Sequence, residues 1–227
     1  MPTPDPGAPT GAAYRLPLFP LPLVLFPGAA LPLHVFEPRY RQLLSDVQGA
    51  DPDGRGRFGL VLAGSEVPAA GLVGCEAQVR DVEPLPDGRS NLVVDGGRRF
   101  ALARLVPSDR LYAVAEVTPY ADDPAAAGDT SAAEARVRAL FARVARAALQ
   151  LADRAESPPA LPDDGDLAFA VAARVEFGLA DRQRVLASRS PAERLALVGD
   201  LLDAAVEGVE LRARVHTGAR SNGRGPH

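Results

Sequence analysis

The residues that could carry catalysis or bind a metal are few in this chain. Its 227 residues include one cysteine and three histidines, and the histidines are His34, His216 and His227. A Ser-His-Asp triad would depend on His34, because the other two lie in a polar tail, and no G-x-S-x-G motif accompanies it. One cysteine and scattered histidines cannot supply the four ligands of a zinc site. The sequence therefore predicts no catalytic residues, no metal site and no cofactor, and His34 is expected to be a strand residue with a local hydrogen bond.

Lysine chemistry is absent, since all 25 basic residues of the sequence are arginine. A nucleotide-binding P-loop needs a lysine that reaches the β- and γ-phosphates, and no G-x-x-x-x-G-K-[ST] occurs. A Ser-Lys proteolytic dyad and Schiff-base chemistry need a lysine as well. These 227 residues are therefore expected to be non-enzymatic.

Two further positions have a chemical and a structural interpretation. Cys75 lies among alternating apolar residues and is expected to be a small buried hydrophobe, because a reactive thiol needs a partly exposed, electropositive setting. The segment Gly96-Gly97-Arg98-Arg99 could hold a phosphate against its backbone. The favoured interpretation is a tight turn followed by a strand whose arginines face solvent.

Composition narrows the class of protein. The chain is 47% hydrophobic and 24% charged, as in ordinary globular domains, and its formal net charge is −4. An acidic balance argues against nucleic acid or an anionic membrane as the main partner. No apolar run approaches the ~18 residues of a membrane span, and the N-terminus lacks the features of a signal peptide. A cytoplasmic location is expected, and a lone cysteine is consistent with a reducing compartment.

The first half of the chain contains most of the candidate residues, and its pattern of prolines and apolar residues predicts short strands. Residues 16–44 read LPLFPLPLVLFPGAALPLHVFEPRYRQLL, where prolines among apolar residues indicate strand edges and bends. Glu37 and Pro38 are typical of the first turn of a helix. Further on, Asp95-Gly96 is a hairpin-type turn pair, with strands expected at 91–94, 100–106 and 112–117.

The second half changes to a helical period. Ser131 with Glu134 and Ser190 with Glu193 predict two capping boxes. Helices are also expected from Asp166 to Gly178 and from Asp181 to about Ser188. The resulting organisation is a disordered arm (1–13), a β-rich subdomain (14–121), a linker (122–130), a helical bundle (131–215) and a disordered tail (216–227). Beyond Glu210 the arginines face no acidic residues and form a small basic tail at positions 212, 214, 220 and 224.

The order of motifs resembles the Lon N-terminal, substrate-binding domain family, and above all bacterial proteins that carry this domain alone. The motifs are PLFPL at 17–21, LFPG at 25–28, LPL at 31–33 and FEPRY at 36–40. The resemblance implies an α+β fold, with a PUA-like β-barrel followed by a C-terminal α-helical bundle. It also implies binding of unfolded or exposed polypeptide segments, with a protease or chaperone as partner in protein quality control. The alternative is an RNA- or nucleotide-binding PUA-like protein.

The candidate peptide-binding or structural residues lie mostly in the proline-rich segment. They are Phe19, Leu21, Phe26, Phe36, Glu37, Arg39, Tyr40 and Arg99. One interpretation makes Glu37, Arg39 and Tyr40 part of a recognition surface. In the favoured interpretation, Glu37 forms an ion pair with an arginine that fixes the helix against the strands, and the Tyr40 ring packs in the interior. Phe36 and Tyr40 are expected to join the strands to the first helix; a buried Phe36 ring would be structural, and an exposed ring would be a binding candidate.

Overall fold

The computed structural model describes residues 11–51, 56–64, 68–163 and 165–222, with backbone alone for 216–222. The chain divides into two compact units. The strand unit comprises Met1–Asp122 and Gly178–Ala187, and the helix unit comprises Asp123–Phe177 and Ser188–His227. In this division the first segment of the strand unit ends at Asp122. The segment 178–187 was expected in the helical bundle, and this expectation was wrong.

Six strands form the sheet of the strand unit. They are β1 (Tyr14–Leu21), β2 (Ala30–Val35), β3 (Arg57–Leu62), β4 (Val73–Pro84), β5 (Ser90–Val106) and β6 (Val114–Pro119). The order is β2-β5-β4-β3-β1-β6, and β6 also pairs with β5, so five strands close into a barrel. β1 and β3 run parallel, and the other neighbours are antiparallel. β2 lies outside the closed ring, on the first half of β5.

Helix α1 (Pro38–Ala50) follows β2 and packs its apolar stripe on the strand core. Glu37 occupies the N-cap position, one residue before the predicted first turn, and Pro38 begins the helix. Pro38 is tolerated there because the first helical N–H groups have no intrahelical partner. Tyr40 stacks on Phe19 with ring centroids 3.9 Å apart, so the predicted packing of Tyr40 is confirmed.

The bend at Gly28 is a bulge built against Gly96. Gly28 has a φ of 73°, its N–H donates to the Gly96 oxygen at 2.8 Å, and the Gly96 N–H donates to the Ala29 oxygen at 2.8 Å. Two residues thus face one, with the positive-φ glycine first. The predicted hairpin at Asp95-Gly96 was wrong, because β5 runs through it. Glycine is required at position 96 because the Phe26 backbone packs against it, and a Cβ there would clash with the Phe26 carbonyl oxygen.

The helix unit contains α2 (Ser131–Leu151), α3 (Leu167–Ala172) and α5 (Pro191–Asn222). A short 3-10 helix, Pro124–Ala126, lies within the predicted linker. One half of the predicted capping box at Ser190 is present, since the Glu193 N–H donates to the Ser190 hydroxyl at 3.2 Å. The Ser190 N–H donates to the Ser188 hydroxyl at 3.3 Å rather than to Glu193. The first predicted capping box was wrong: Thr130 rather than Ser131 is the N-cap, its side chain makes no cap hydrogen bond to the backbone, and its hydroxyl donates instead to the Glu134 side chain at 2.6 Å.

Two helix ends differ from prediction. Asp166 caps α3 as expected, accepting from the Phe169 N–H at 3.0 Å, but the helix ends at Ala172 rather than Gly178. At the C-terminus, α5 continues to Asn222, so residues 216–222 are helical where a disordered tail was expected. The remaining tail residues 223–227, the arm residues 1–10 and the predicted loop at 52–54 lie outside the described residues.

Helix α4 (Leu179–Ala187) is the predicted short helix and belongs to the strand unit. It begins two residues before the expected Asp181 and ends at Ala187. Across the described part of the chain, no helix combines the length and apolar character needed to cross a bilayer.

Candidate functional site

Three of the candidate aromatic residues belong to the core of the strand unit. Phe19, Phe26 and Tyr40 expose 5% of their surface or less. Leu21 is half-buried at the end of β1 and packs against the same core. These side chains stabilise the barrel, and a ligand could reach them only after the core opened.

Phe36 is the exception, because its ring lies on the surface, the alternative that makes it a binding candidate. Its side chain is 57% exposed and stacks beside His34, with ring centroids 5.9 Å apart. The reason is the alternation of β2, in which Val35 takes the buried position at the end of the strand. Phe36 follows it and turns outward, so the strand unit carries an exposed aromatic ring at the β2–α1 junction.

Glu37 and Arg39 pair with each other on the surface. The Arg39 Nε donates to Glu37 Oε2 at 2.9 Å, and the two side chains remain 39% and 51% exposed. Arg39 also lies over the Tyr40 ring, 4.5 Å from its centroid. The predicted ion pair is present, but it is local to the helix start and does not reach the strands.

Arg99 does not face solvent, contrary to prediction. Its side chain is 5% exposed, donates to the Leu186 carbonyl oxygen at 2.8 Å and pairs with Asp122 at 2.5 Å. Its neighbour Arg98 is exposed as expected and bonds to Glu76 at 3.3 Å. Because the Gly96–Arg99 segment is strand and Arg99 is used internally, the phosphate-cradle interpretation has no support from this geometry.

Three more polar contacts attach α4 to the barrel. Gln183 donates to the Val73 oxygen at 2.9 Å, Arg182 donates to the Val24 oxygen at 3.1 Å, and the Tyr120 hydroxyl donates to the Ala187 oxygen at 2.9 Å. All three acceptors are backbone carbonyls, so sequence reasoning had no paired side-chain charge by which to find them.

The edge of β2 that faces away from β5 is unpaired within the described part of the chain. Ala29 and Gly96 form a hydrogen-bonded pair, and such pairs alternate along antiparallel strands. The backbone groups of Ala30, Pro32 and His34 therefore point outward from the sheet. Pro32 has no N–H to leave unsatisfied, which suits this position.

A groove of about 510 Å³ lies on the outer face of β2, β5 and β4. Its residues form two rows across the strands. One row consists of Pro32, Val93 and Asp81. The other consists of His34, Asn91 and Glu83. The exposed edge of β2, the Phe36 ring and this groove are together called the β2 surface.

A hydrogen-bonded chain of polar side chains borders the groove. His34 Nδ1 and Asn91 Oδ1 are 2.8 Å apart, and Asn91 Nδ2 donates to Glu83 at 3.0 Å. Arg89 lies 3.4 Å from His34 Nε2 and is bound to Asp87, whose pKa this pairing lowers. His34 is a strand residue with a hydrogen bond, as expected, but the bond crosses from β2 to Asn91 of β5 instead of staying local.

The remaining chemical candidates are inert. Cys75 is fully buried as predicted, and burial raises the pKa of its thiol from 9.0 to about 12. Its thiol donates to backbone oxygens of Glu76 and Gly97. Among the residues that the structure describes, no group of three His, Cys, Asp or Glu side chains is placed to hold a metal.

Comparison with known proteins gives one family. Residues 15–204 match the ATP-dependent protease La (LON) substrate-binding domain. The Lon protease of Xanthomonas oryzae pv. oryzae is 28% identical over 214 residues, covering 91% of this chain and 25% of that protein. The Lon protease of Cytophaga hutchinsonii is 26% identical over 220 residues, covering 89% of this chain and 26% of that protein. The chain thus spans about a quarter of the length of these relatives.

Solved structures agree in fold. A Lon N-terminal domain protein from Xanthomonas campestris is 28% identical, with a TM-score of 0.57 over 81% of this chain and 95% of that chain. The N-terminal domain of the Mycobacterium avium complex Lon protease, at 18% identity, has a TM-score of 0.59 over 84% of this chain and 98% of that chain. The second likeness concerns fold alone, and both agree with the predicted α+β class. On the family match, which covers most of its length, the chain belongs to the Lon substrate-binding domain family.

Proposed function

We propose that this chain is a non-catalytic module whose β2 surface binds extended polypeptide segments. The observation that carries the proposal is the unpaired edge of β2 beside the exposed Phe36 ring. The outward backbone groups can pair with an added strand, and Phe36 and the groove can take its side chains. This combination is the usual chemistry of peptide recognition by strand addition.

Family membership supports a polypeptide ligand, since the family is defined as the substrate-binding part of Lon. The catalytic activities of the longer relatives are not carried over, because these 227 residues contain no lysine for a P-loop or a Ser-Lys dyad. A role in the cytoplasm as an adaptor that presents exposed segments to a protease or chaperone is consistent with this chemistry.

The nucleic-acid alternative has less support at the same surface. Arg89 lies 3.4 Å from His34, which stacks beside the exposed Phe36 ring, and Arg39 is three residues further along the chain. Arginines near an exposed aromatic ring are what an RNA-binding surface would require. Each of these two arginines is neutralised by an adjacent carboxylate, Glu37 or Asp87, at 2.8 and 2.6 Å. The local charge available for phosphates is therefore small.

The test is fluorescence anisotropy with a dye-labelled, neutral, apolar peptide. Phe36→Ala should weaken binding about five- to thirtyfold, the effect of a central aromatic anchor worth ~1–2 kcal/mol. Leu111→Ala is the matched control, since Leu111 is 64% exposed in the same unit and lies outside the β2 surface. Its binding should equal that of the unmodified chain.

Two further arms identify the mode of binding. The same peptide with alternate backbone nitrogens methylated keeps its side chains but cannot pair with β2, so its binding should be lost. Affinity for the unmodified peptide should change little between ~50 and ~200 mM salt, because few charges take part. Equal losses for both alanine variants, or tight salt-sensitive binding of RNA at the β2 surface instead, would refute the proposal.

A further inference from the structure

A second groove lies in the helix unit, between α2 and α5, and has the opposite character to the β2 surface. It has a volume of about 250 Å³ and is lined by Arg143, Arg146, Gln150, Glu210 and Arg214. Three arginines and one glutamate leave two positive charges in excess. In a chain whose net charge is −4, this local excess of cations indicates a selective attraction for anionic groups.

The arginines of this groove are not equivalent. Arg143 is committed to Glu210, with contacts at 3.0 and 3.1 Å. Hydrogen bonds from Arg143, together with the charges of Arg143 and Arg214, lower the pKa of the Glu210 carboxyl. Among the described residues, Arg146 and Arg214 form no hydrogen bond or ion pair of their own. Both guanidinium groups therefore have unused N–H donors for a carboxylate, although the charge of Arg214 also acts on Glu210.

Two exposed apolar side chains lie on α5 outside the residues that line the groove. Leu211 is 55% exposed and Val215 is 64% exposed, and they account for two of the five large hydrophobic residues exposed in the described part of the chain. Leu211 is three residues before Arg214 and four before Val215, so Leu211 lies beside each of them on the surface of α5. Cations beside exposed apolar groups complement a ligand that carries carboxylates and apolar side chains together.

We infer that the α2–α5 groove and the adjoining face of α5 bind a polypeptide segment rich in both acidic and apolar residues. Arg146 and Arg214 would contact its acidic side chains, and Leu211 and Val215 its apolar ones. Nucleic acid fits less well, because no aromatic ring for base stacking is found among the described residues that line the groove. The site goes beyond the β2 surface. It would give the chain a second contact for substrates or partners with acidic segments.

The test uses the full chain and a dye-labelled peptide of alternating aspartate and leucine. The double variant R146Q/R214Q should weaken binding about two- to thirtyfold, the combined effect of two solvent-exposed ion pairs. The matched control is R80Q/R104Q, which removes the same charge from exposed arginines of the strand unit and should leave binding unchanged. Affinity of the unmodified chain should fall as salt rises from ~50 to ~200 mM, since the pairs are exposed.

Matched peptides separate the two contributions. Replacing aspartate by asparagine in the peptide should reduce affinity, and so should replacing leucine by serine. In the protein variant Leu211→Ser with Val215→Ser, the leucine and serine peptides should bind with equal affinity. Equal effects of R146Q/R214Q and R80Q/R104Q would overturn the inference. So would loss of peptide binding in Phe36→Ala alone, a result that would still support the β2 surface. Tighter binding of single-stranded RNA, lost in R146Q/R214Q, would reassign the groove to nucleic acid.

Discussion

Arg99 in β5 donates a hydrogen bond to the carbonyl oxygen of Leu186 at 2.8 Å, although the two residues are 87 positions apart. The same guanidinium pairs with Asp122 and lies over the Tyr120 ring, 5.3 Å from its centroid. One buried arginine therefore joins β5, the end of the strand segment and α4. This contact explains why residues 178–187 belong to the strand unit although the chain passes through the helix unit to reach them.

Arg99→Met should destabilise the chain by about 1–3 kcal/mol, the usual penalty when buried polar groups lose their partner. Methionine retains much of the packing of the arginine's aliphatic stem, so the loss of stability should reflect the missing hydrogen bonds. Arg104→Met on the same strand is the control, since Arg104 is 60% exposed and pairs only on the surface. It should cost less than about 1 kcal/mol. Urea unfolding measures both, and equal losses would contradict the role given to Arg99.

Gly96→Ala should destabilise the chain by about 1–3 kcal/mol, as overpacking does in a close-packed interior. The new methyl group would meet the Phe26 carbonyl oxygen, and backbone cannot move aside as a flexible side chain can. Gly97→Ala is the matched neighbour, because the nearest atom to its added Cβ is 3.4 Å away. If both variants unfold at the same urea concentration, the tight approach of Phe26 to Gly96 is not what requires glycine.

Phe19→Ala and Phe36→Ala should differ sharply in stability, though both residues belong to the same proline-rich segment. Phe19 is 3% exposed and Phe36 is 57% exposed. Truncating the buried ring should cost about 3–5 kcal/mol. Truncating the exposed ring should cost less than about 1 kcal/mol. Thermal and urea unfolding give the comparison, and a large loss for Phe36→Ala would place its ring in the core.

Stability should decline at alkaline pH through Cys75. The pKa of its thiol is about 12 in the folded chain, against an ordinary value of 9.0. A folded-state pKa above the unfolded value means that the stability contributed by the neutral thiol is complete below pH 9.0 and is lost as pH rises towards 12. Cys75→Ala should therefore show a shallower loss of stability across that range than the unmodified chain.

The control for this prediction lies at lower pH. Below about pH 8 the two chains should differ by a constant amount that reflects packing alone, because neither folded nor unfolded thiol ionises there. Parallel stability curves up to pH 12 would show that the folded thiol has its ordinary pKa. Tyr112 titrates in an overlapping range, since burial and its bond to Asp46 raise its pKa to about 12, but it is present in both chains.

Local signals in the sequence predicted several elements correctly. The alternating apolar residues predicted the β-rich part, and Pro38, Asp166 and Ser190 marked helix starts. These features act over a few residues, through backbone geometry and capping, so they can be read without knowing the rest of the fold. The absence of lysine likewise excluded P-loop, Ser-Lys and Schiff-base chemistry without coordinates. The order of motifs from PLFPL to FEPRY indicated the family in the same way.

Only the tertiary structure decided which polar and aromatic residues face solvent. Arg99 is in a buried position because the Leu186 carbonyl approaches it from a distant segment, and no local pattern identifies such a partner. Gly96 resembles a turn residue, but the approach of Phe26 makes it a site of close contact within a strand. Phe36 has the composition of a core residue, and the direction in which β2 ends turns it outward. For Arg99 and Gly96, atoms far away in the sequence supply the deciding contact, and for Phe36 the pairing of β2 in the sheet decides which of its faces is buried.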